Sequence, residues 1–176
     1  MKKVYNDFLK VKEVTNVKLT NATEQALAVM AMLSTQEEAI PLSSVAIYQK
    51  LSVSSSYMSK LLRKLVVAEV IEGVSGKSGG FYIKKDLSQI TLLDIVEAIE
   101  GPFHSFPHSG VLERAFSDFT EIAQNGDKLI ADYFHRADDY WSEELESVCI
   151  KDVLINVFQV YGEIPKRNWN DYLEGE

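Results

Sequence analysis

Eight side chains within residues 54–64, Ser54, Ser55, Ser56, Tyr57, Ser59, Lys60, Arg63 and Lys64, are of the types that recognise a nucleic acid. Hydroxyls at the start of a helix can exchange hydrogen bonds with base edges in a groove, and cations one or two turns further on can neutralise phosphates. A second group, Lys77, Ser78 and Gly79, sits in the run Gly-Lys-Ser-Gly-Gly at 76–80. There a thin glycine turn could carry a cation into a neighbouring minor groove. Tyr57 admits two readings, a core residue with its hydroxyl at the surface or a phosphate contact. A basic helical face is by itself most often only a solvated face, so the chemistry depends on what surrounds it.

The overall charge of −8 argues against nucleic acid until the chain is divided. Residues 41–85 hold seven basic side chains (Lys50, Lys60, Arg63, Lys64, Lys77, Lys84, Lys85) against two acidic ones, Glu69 and Glu72, while the remainder holds 11 basic and 24 acidic. A basic island on an acidic body suits phosphate binding and limits indiscriminate association. Other chemistry finds little support. The sequence has no phosphate loop, nucleophile elbow or metal-spaced histidine pair, and the turn at 76–80 lacks the strand-to-helix context of a nucleotide fingerprint, so an enzyme is not expected. One cysteine, Cys149, excludes an internal disulfide and any site needing several thiolates from one chain. Between Val148 and Ile150 it reads as a buried, inert thiol. His104 and His108, interleaved with Phe103 and Phe106, form a candidate effector region for a small molecule or protein. Two histidines without carboxylate or thiolate neighbours make a poor metal site, and neither metal nor cofactor is expected.

The elements that would position these groups follow from periodicity. Thr20 and Asn21 offer N-cap side chains, with Glu24 at capping-box spacing after Asn21, before Ala26, Leu27, Val29, Met30 and Leu33, which predicts a first helix. Pro41 separates it from a second, short helix with Leu42, Val45, Ala46 and Leu51 on its inner side, started by Ser43 or Ser44. After a tight connection at Ser52-Val53-Ser54 comes a third helix, with Tyr57, Met58, Leu61, Leu62 and Leu65 inward and the basic face outward. Alternation in Val70 to Val74, the glycine turn and Phe81-Tyr82-Ile83 predict a hairpin. Ile90 to Ile99, capped by Thr91, is a fourth helix ending at Gly101-Pro102. From Val111 the pattern is helical to about Val148, with a break near Asn125-Gly126, and a shorter helix runs from Ile150 to Tyr161. The apolar runs are too short to span a bilayer, and Met1-Lys2-Lys3 leads into no apolar signal core, so the expectation is a cytoplasmic protein without membrane contact.

Two helices joined by a tight turn, the second amphipathic and basic, followed by a glycine-tipped hairpin, make a winged helix-turn-helix. Three blocks within residues 18–101, Val53 to Leu65, Gly76 to Phe81 and Ile90 to Gly101, resemble the Rrf-two family of winged-helix regulators. The resemblance implies a homodimer on a pseudo-palindromic operator in double-stranded DNA, most simply a repressor, with subunits paired through a long C-terminal helix. Tyr140, Trp141 and Leu145 are the candidate dimer contacts. Many members of the family hold an iron-sulfur cluster through three cysteines after the Glu-Gly pair; here residues 102–110 contain none. The wing has Ser75 where the family usually has arginine, and the third helix has Ser59 and Lys60 where relatives often have Glu and Gln, so no operator sequence carries over. The expected architecture is mainly α: residues 1–17 an arm or short helix, 18–101 a winged helix-turn-helix domain, 102–110 a loop, and 111–176 a helical dimerisation and regulatory region. A second reading makes the winged domain a protein-interaction module that regulates through a partner protein. Sharp, salt-dependent operator binding favours the first, and absence of DNA affinity at low salt the second.

Overall fold

The computed structural model describes residues 19–76, 78–107, 109–159 and 162–173. The expected arm, 1–17, lies outside them. Helix α1 (Asn21–Ser34) buries Ala26, Val29, Met30 and Leu33 on one stripe at i, i+3, i+4 and i+7, with Leu27 half-buried beside it. The capping box expected from Asn21 and Glu24 does not form. The N-cap is Thr20, and its hydroxyl does not turn back onto the helix. Its backbone N–H (2.8 Å) and hydroxyl (2.6 Å) donate instead to Glu100, as does the Thr23 hydroxyl (2.6 Å). Long-range pairing therefore displaces the local cap.

Helix α2 (Ser44–Lys50) is capped by the Ser43 hydroxyl, which accepts from the Ala46 N–H at 3.2 Å. It buries Ala46 and Ile47, whereas Val45, expected inside, is exposed. The tight connection then forms in a specific way. Ser52 adopts φ 53°, its N–H donates to the Gln49 carbonyl, and the Val53 N–H donates to that of Tyr48. This paired 5→2 and 6→1 closure satisfies the last carbonyls of α2 and turns the chain straight into α3 (Ser55–Val67). Helix α3 ends in the same manner, with Glu69 at φ 57° and the Val70 N–H on the Leu65 carbonyl.

Strands β1 (Glu72–Val74) and β2 (Gly80–Tyr82) pair antiparallel, Gly73 opposite Phe81. The hairpin is anchored to the helices because Phe81 and Leu42 exchange both backbone hydrogen bonds at 2.9 Å. That approach dictates a glycine: a Cβ on Gly80 would lie 2.5 Å from the Leu42 carbonyl oxygen. Helix α4 (Leu92–Glu100) carries the expected Thr91 cap, completed into a capping box by Asp94. It packs on α1 and α3. Met30, Leu42, Ile47, Met58, Leu62, Leu65, Ile90 and Ile95 are all but inaccessible and form the common core, each worth about 1.5–3 kcal/mol of burial.

Beyond Gly101 the helix expected from Val111 breaks at Phe116 rather than near Asn125-Gly126. A short α5 (Val111–Ala115) and a 3₁₀ turn (Ser117–Phe119) precede the 27-residue α6 (Thr120–Glu146), which passes unbroken through Gly126. Helix α7 (Ile150–Phe158) follows; Tyr161, expected to end it, lies outside the described residues. The turn between α6 and α7 is tied to the winged unit by Leu92 N–H to Val148 and Ile150 N–H to Ile90, both 2.9 Å. No helix among the described residues is long and apolar enough to cross a membrane.

The final segment returns to the winged unit. Arg167 pairs with Gln36 as a short parallel bridge, and its N–H donates to the Thr35 carbonyl at 2.9 Å. The Trp169 indole N–H donates to the Thr35 hydroxyl at 3.0 Å. Asn170 accepts from the Ser43 N–H (2.9 Å) and donates to the Pro41 carbonyl (3.0 Å), strapping the start of α2.

The Glu100 junction predicts a pH dependence. Burial works against its ionised form, but the Thr20 and Thr23 hydroxyls, the Thr20 N–H and the Lys64 charge outweigh this and hold the carboxyl below its ordinary value. A carboxylate with a depressed folded pKa contributes stability that is complete above the unfolded value, about 4.3, and is lost as pH falls through the folded value. Glu100→Gln is therefore expected to lower stability at pH 7 by less than about 1 kcal/mol, given its exposure. In denaturant titrations that difference should shrink below about pH 4. A difference constant from pH 3 to 7 would contradict the assignment.

Candidate nucleic-acid interface

Helix α3 has two chemically distinct sides. Met58, Leu61, Leu62 and Leu65 are buried, while Ser55, Ser56, Ser59, Lys60 and Arg63 are exposed. Each exposed hydroxyl has a different freedom. Ser54 is the N-cap, its oxygen accepting from the Tyr57 N–H at 3.3 Å, so it holds the helix start instead of facing outward as a reader. Ser56 lies 3.4 Å from the Ser54 hydroxyl, with either able to donate. Ser59 donates to the Ser55 carbonyl at 2.8 Å, which leaves its oxygen free to accept from an amino group such as those on cytosine or adenine in the major groove.

Tyr57 does not take the core place that was one of its two expected readings. It is 38% exposed, outside the buried stripe, and its hydroxyl donates to the Gln25 side-chain oxygen at 2.6 Å. That bond ties the start of α3 to α1 and sets the presentation of the serines beside it. Gln25 was not legible as a site residue, because one glutamine on a helix has no signature without its partner.

The basic island is smaller in space than in sequence. The Lys64 ammonium donates to the Ile99 carbonyl at the end of α4, where a cation is favoured by the helix dipole, so it turns inward rather than toward a phosphate. Lys84 pairs with Glu72 at 3.4 Å, and Lys50 lies over the Trp169 ring. Lys60, Arg63 and Lys85 remain as exposed cations that no hydrogen bond or ion pair engages among the described residues, the first two on the outer face of α3. In the wing, Lys77 lies outside the described residues and Ser78 is exposed. Gly79 is a turn residue: its N–H donates to Gly76, and a Cβ there would lie 2.4 Å from the Val74 carbonyl oxygen.

The candidate effector region is largely packed onto α6. Phe103 meets Trp141 (centroids 4.5 Å apart), Phe106 stacks on Phe134 (4.9 Å), and the Ser105 N–H donates to the buried Asp138 carboxylate at 3.0 Å. His104 is exposed, and His108 lies outside the described residues. Of the candidate dimer contacts, Tyr140 is exposed, Trp141 is half-buried by Phe103 of its own chain, and Leu145 is half-buried. Cys149 is half-buried rather than buried, stands at the N-cap of α7 and donates to Asp152 at 3.1 Å.

Comparison with known proteins agrees with this geometry. The Rrf2 family, described as iron-dependent transcriptional regulators, matches residues 19–156. YwgB of Bacillus subtilis, whose name places it among HTH-type transcriptional regulators, is 32% identical over 145 residues, covering 82% of this chain and 89% of that protein. YffB of Lactococcus lactis, similarly named, is 35% identical over 97 residues, 55% of this chain and 62% of the other. Two solved structures share the fold. CymR, the global cysteine regulator of B. subtilis, has TM-score 0.57 and 24% identity over 78% of this chain and 96% of its own. CymR of Staphylococcus aureus has TM-score 0.53 and 22% identity over 76% and 95%. The description of the family as iron-dependent does not fit the donors of this chain. It has one cysteine, none in residues 102–110, and no group of three His, Cys, Asp or Glu able to hold a metal ion among the described residues. With a winged helix-turn-helix whose third helix buries one face and offers serines and cations on the other, and a family match across most of its length, this chain belongs to the Rrf2 family of DNA-binding transcriptional regulators, not enzymes.

Proposed function

We propose that the protein acts in the cytoplasm as a homodimeric repressor that binds a pseudo-palindromic operator, inserting α3 of each subunit into successive major grooves. The reading rests on the outer face of α3, where Ser55, Ser56 and Ser59 lie N-terminal to or level with Lys60 and Arg63. Serines at the helix start meet base edges, while Lys60 and Arg63 meet the flanking phosphates. Residues 18–101 act as the DNA-binding unit, with Ser78 and Lys77 at the wing tip meeting the neighbouring groove.

Dimerisation is assigned to α6. Ile122, Gly126, Leu129, Tyr133, Arg136 and Tyr140 recur at alternating intervals of four and three, the spacing of a coiled-coil seam. Ile122, Leu129, Tyr133 and Tyr140 are each more than half exposed in the single chain. So long an apolar stripe on a 27-residue helix calls for a second copy, and Gly126 lets the two backbones approach closely.

Selection of bound duplexes from a random DNA pool, followed by titration of the enriched sequence at two salt concentrations, tests the proposal. A two-fold symmetric motif with steep salt dependence is the expected result. No enrichment at low salt would overturn it in favour of a protein-interaction module.

A further inference from the structure

At the root of the wing lies a cavity of about 490 Å³, within the range of small-molecule sites. One wall is the end of α1 and the loop to α2, with Ser34, Ile40 and Pro41; the other is the chain leaving β2, with Ile83 and Leu87; Lys166 of the strap contributes a third side. Most of this lining is apolar, and Ile40 is left 38% exposed. Two polar groups stand out in it. Ser34 is only 3% exposed, yet its hydroxyl has no hydrogen-bond partner among the described residues, an arrangement that costs stability unless something else supplies one. The Lys166 ammonium is held by the Ser34 carbonyl at 3.0 Å and makes no other hydrogen bond or ion pair among the described residues, so it keeps further N–H groups to donate. Because both groups are tied to one residue, their separation is bounded. A residue's carbonyl oxygen and side-chain hydroxyl lie within about 5 Å of each other, which puts hydroxyl and ammonium within about 8 Å. A carboxylate accepting over about 2.8 Å at each oxygen spans that distance. Lys85 and Glu38 also line the cavity; both are exposed and opposite in sign, so the excess charge is the Lys166 cation.

We propose that this cavity binds a small carboxylate with a short apolar chain, its carboxylate between the Ser34 hydroxyl and the Lys166 ammonium and its chain against Ile40, Pro41, Ile83 and Leu87. The two apolar walls flank the joint of the wing. Pro41 precedes Leu42 and Tyr82 follows Phe81, the pair whose mutual backbone hydrogen bonds anchor the hairpin to the helices. The third side is the strap, which holds the start of α2 through Asn170. A ligand wedged there bears on how the wing sits against the helix-turn-helix, so occupancy couples to operator affinity, a consequence that rests on the DNA-binding role proposed above.

The full-length protein is titrated by calorimetry with isocaproate and with isocaproamide, the neutral amide of the same shape. Isocaproate should saturate, with an affinity at least about tenfold above that of the amide. Ser34→Ala gives the sharpest readout, because structure and ligand binding respond differently to it. Removing a buried hydroxyl that has no partner should leave the melting temperature unchanged or raise it, yet isocaproate binding should weaken about tenfold. Lys166→Met should erase the preference for the carboxylate over the amide. Should Lys166→Met fail to fold, Ser34→Ala and the comparison of the two probes still decide. Equal affinity for the two probes, no saturation at millimolar isocaproate, or undiminished binding by Ser34→Ala would overturn the site. Operator affinity is measured in parallel with and without isocaproate, and a change of about fivefold or more is expected. Saturation without any change would overturn the coupling. Operator binding without isocaproate binding would refute the cavity and leave the regulator intact, whereas isocaproate binding without any selected duplex would uphold the cavity and refute the regulator.

Discussion

Arg63→Ala is expected to weaken operator binding about thirtyfold and to weaken binding to unrelated DNA in the same proportion. The guanidinium lies on the exposed side of α3, two turns from its start, and no hydrogen bond or ion pair engages it among the described residues. Its removal thus deprives one phosphate of its cation and does little else. With one such pairing broken in each of two subunits, at about 1 kcal/mol apiece, that factor results. The slope of log affinity against log salt should fall in magnitude by about 1.8, at 0.9 per phosphate. Two controls sharpen the result. Lys64→Ala, next along the chain, removes the cation from the α4 carboxyl end, so it should cost up to about 1 kcal/mol of stability and leave the salt slope unchanged. Ser56→Ala should leave the slope unchanged as well, but alter the preferred base at one position per half-site. If all three variants lost affinity equally on operator and random DNA, with equal slopes, the division between reading and anchoring groups would be wrong.

The contrast between Arg63 and Lys64 shows what the sequence could and could not say. Periodicity assigned the inner face of α3 at Met58, Leu61, Leu62 and Leu65, because burial repeats with the helix and each position reports independently. The capping of α4 by Thr91 and Asp94 was legible for the same reason, since donor and acceptor are three residues apart. Features that depend on distant partners were not. Lys64 finds a carbonyl 35 residues away, Tyr57 a glutamine 32 residues away, and Thr20 a carboxylate 80 residues away that pre-empts the expected local cap. The tight turn between α2 and α3 was legible from its length, but its left-handed closure left no signal, because the position that usually calls for glycine is filled by Ser52. The strap was missed altogether: Trp169 and Asn170 have no periodicity, and their meaning lies in Thr35, Pro41 and Ser43, more than 125 residues earlier. In the long helix, Trp141 was legible as an aromatic that must pack, but not that Phe103 of its own chain would cover it.

That contact between Phe103 and Trp141 bears on the subunit interface proposed for α6 and sets up the larger effect. With Trp141 covered, the uncovered apolar surface of α6 runs along Ile122, Leu129, Tyr133 and Tyr140, and Leu129 lies inside the stripe at 56% exposure in the single chain. Leu129→Glu would place a carboxylate from each subunit in the seam, where a desolvated, unpaired charge costs several kcal/mol. Because the residue is exposed in the isolated subunit, the winged unit should keep its fold, and circular dichroism should show an unchanged helical content. Sedimentation should show the 19.8 kDa chain alone instead of twice that mass. Operator affinity should then fall by about a hundredfold or more, since each recognition helix loses the effective concentration that a linked partner gives it. Binding of a single half-site, already limited to one helix, should scarcely change. That pairing of outcomes separates a dimer defect from a damaged DNA-binding face, and Arg63→Ala, which weakens both targets, is its natural counterpart. A Leu129→Glu protein that sediments as a dimer and binds the full operator normally would place the subunit interface elsewhere and leave the α6 stripe without its assigned partner.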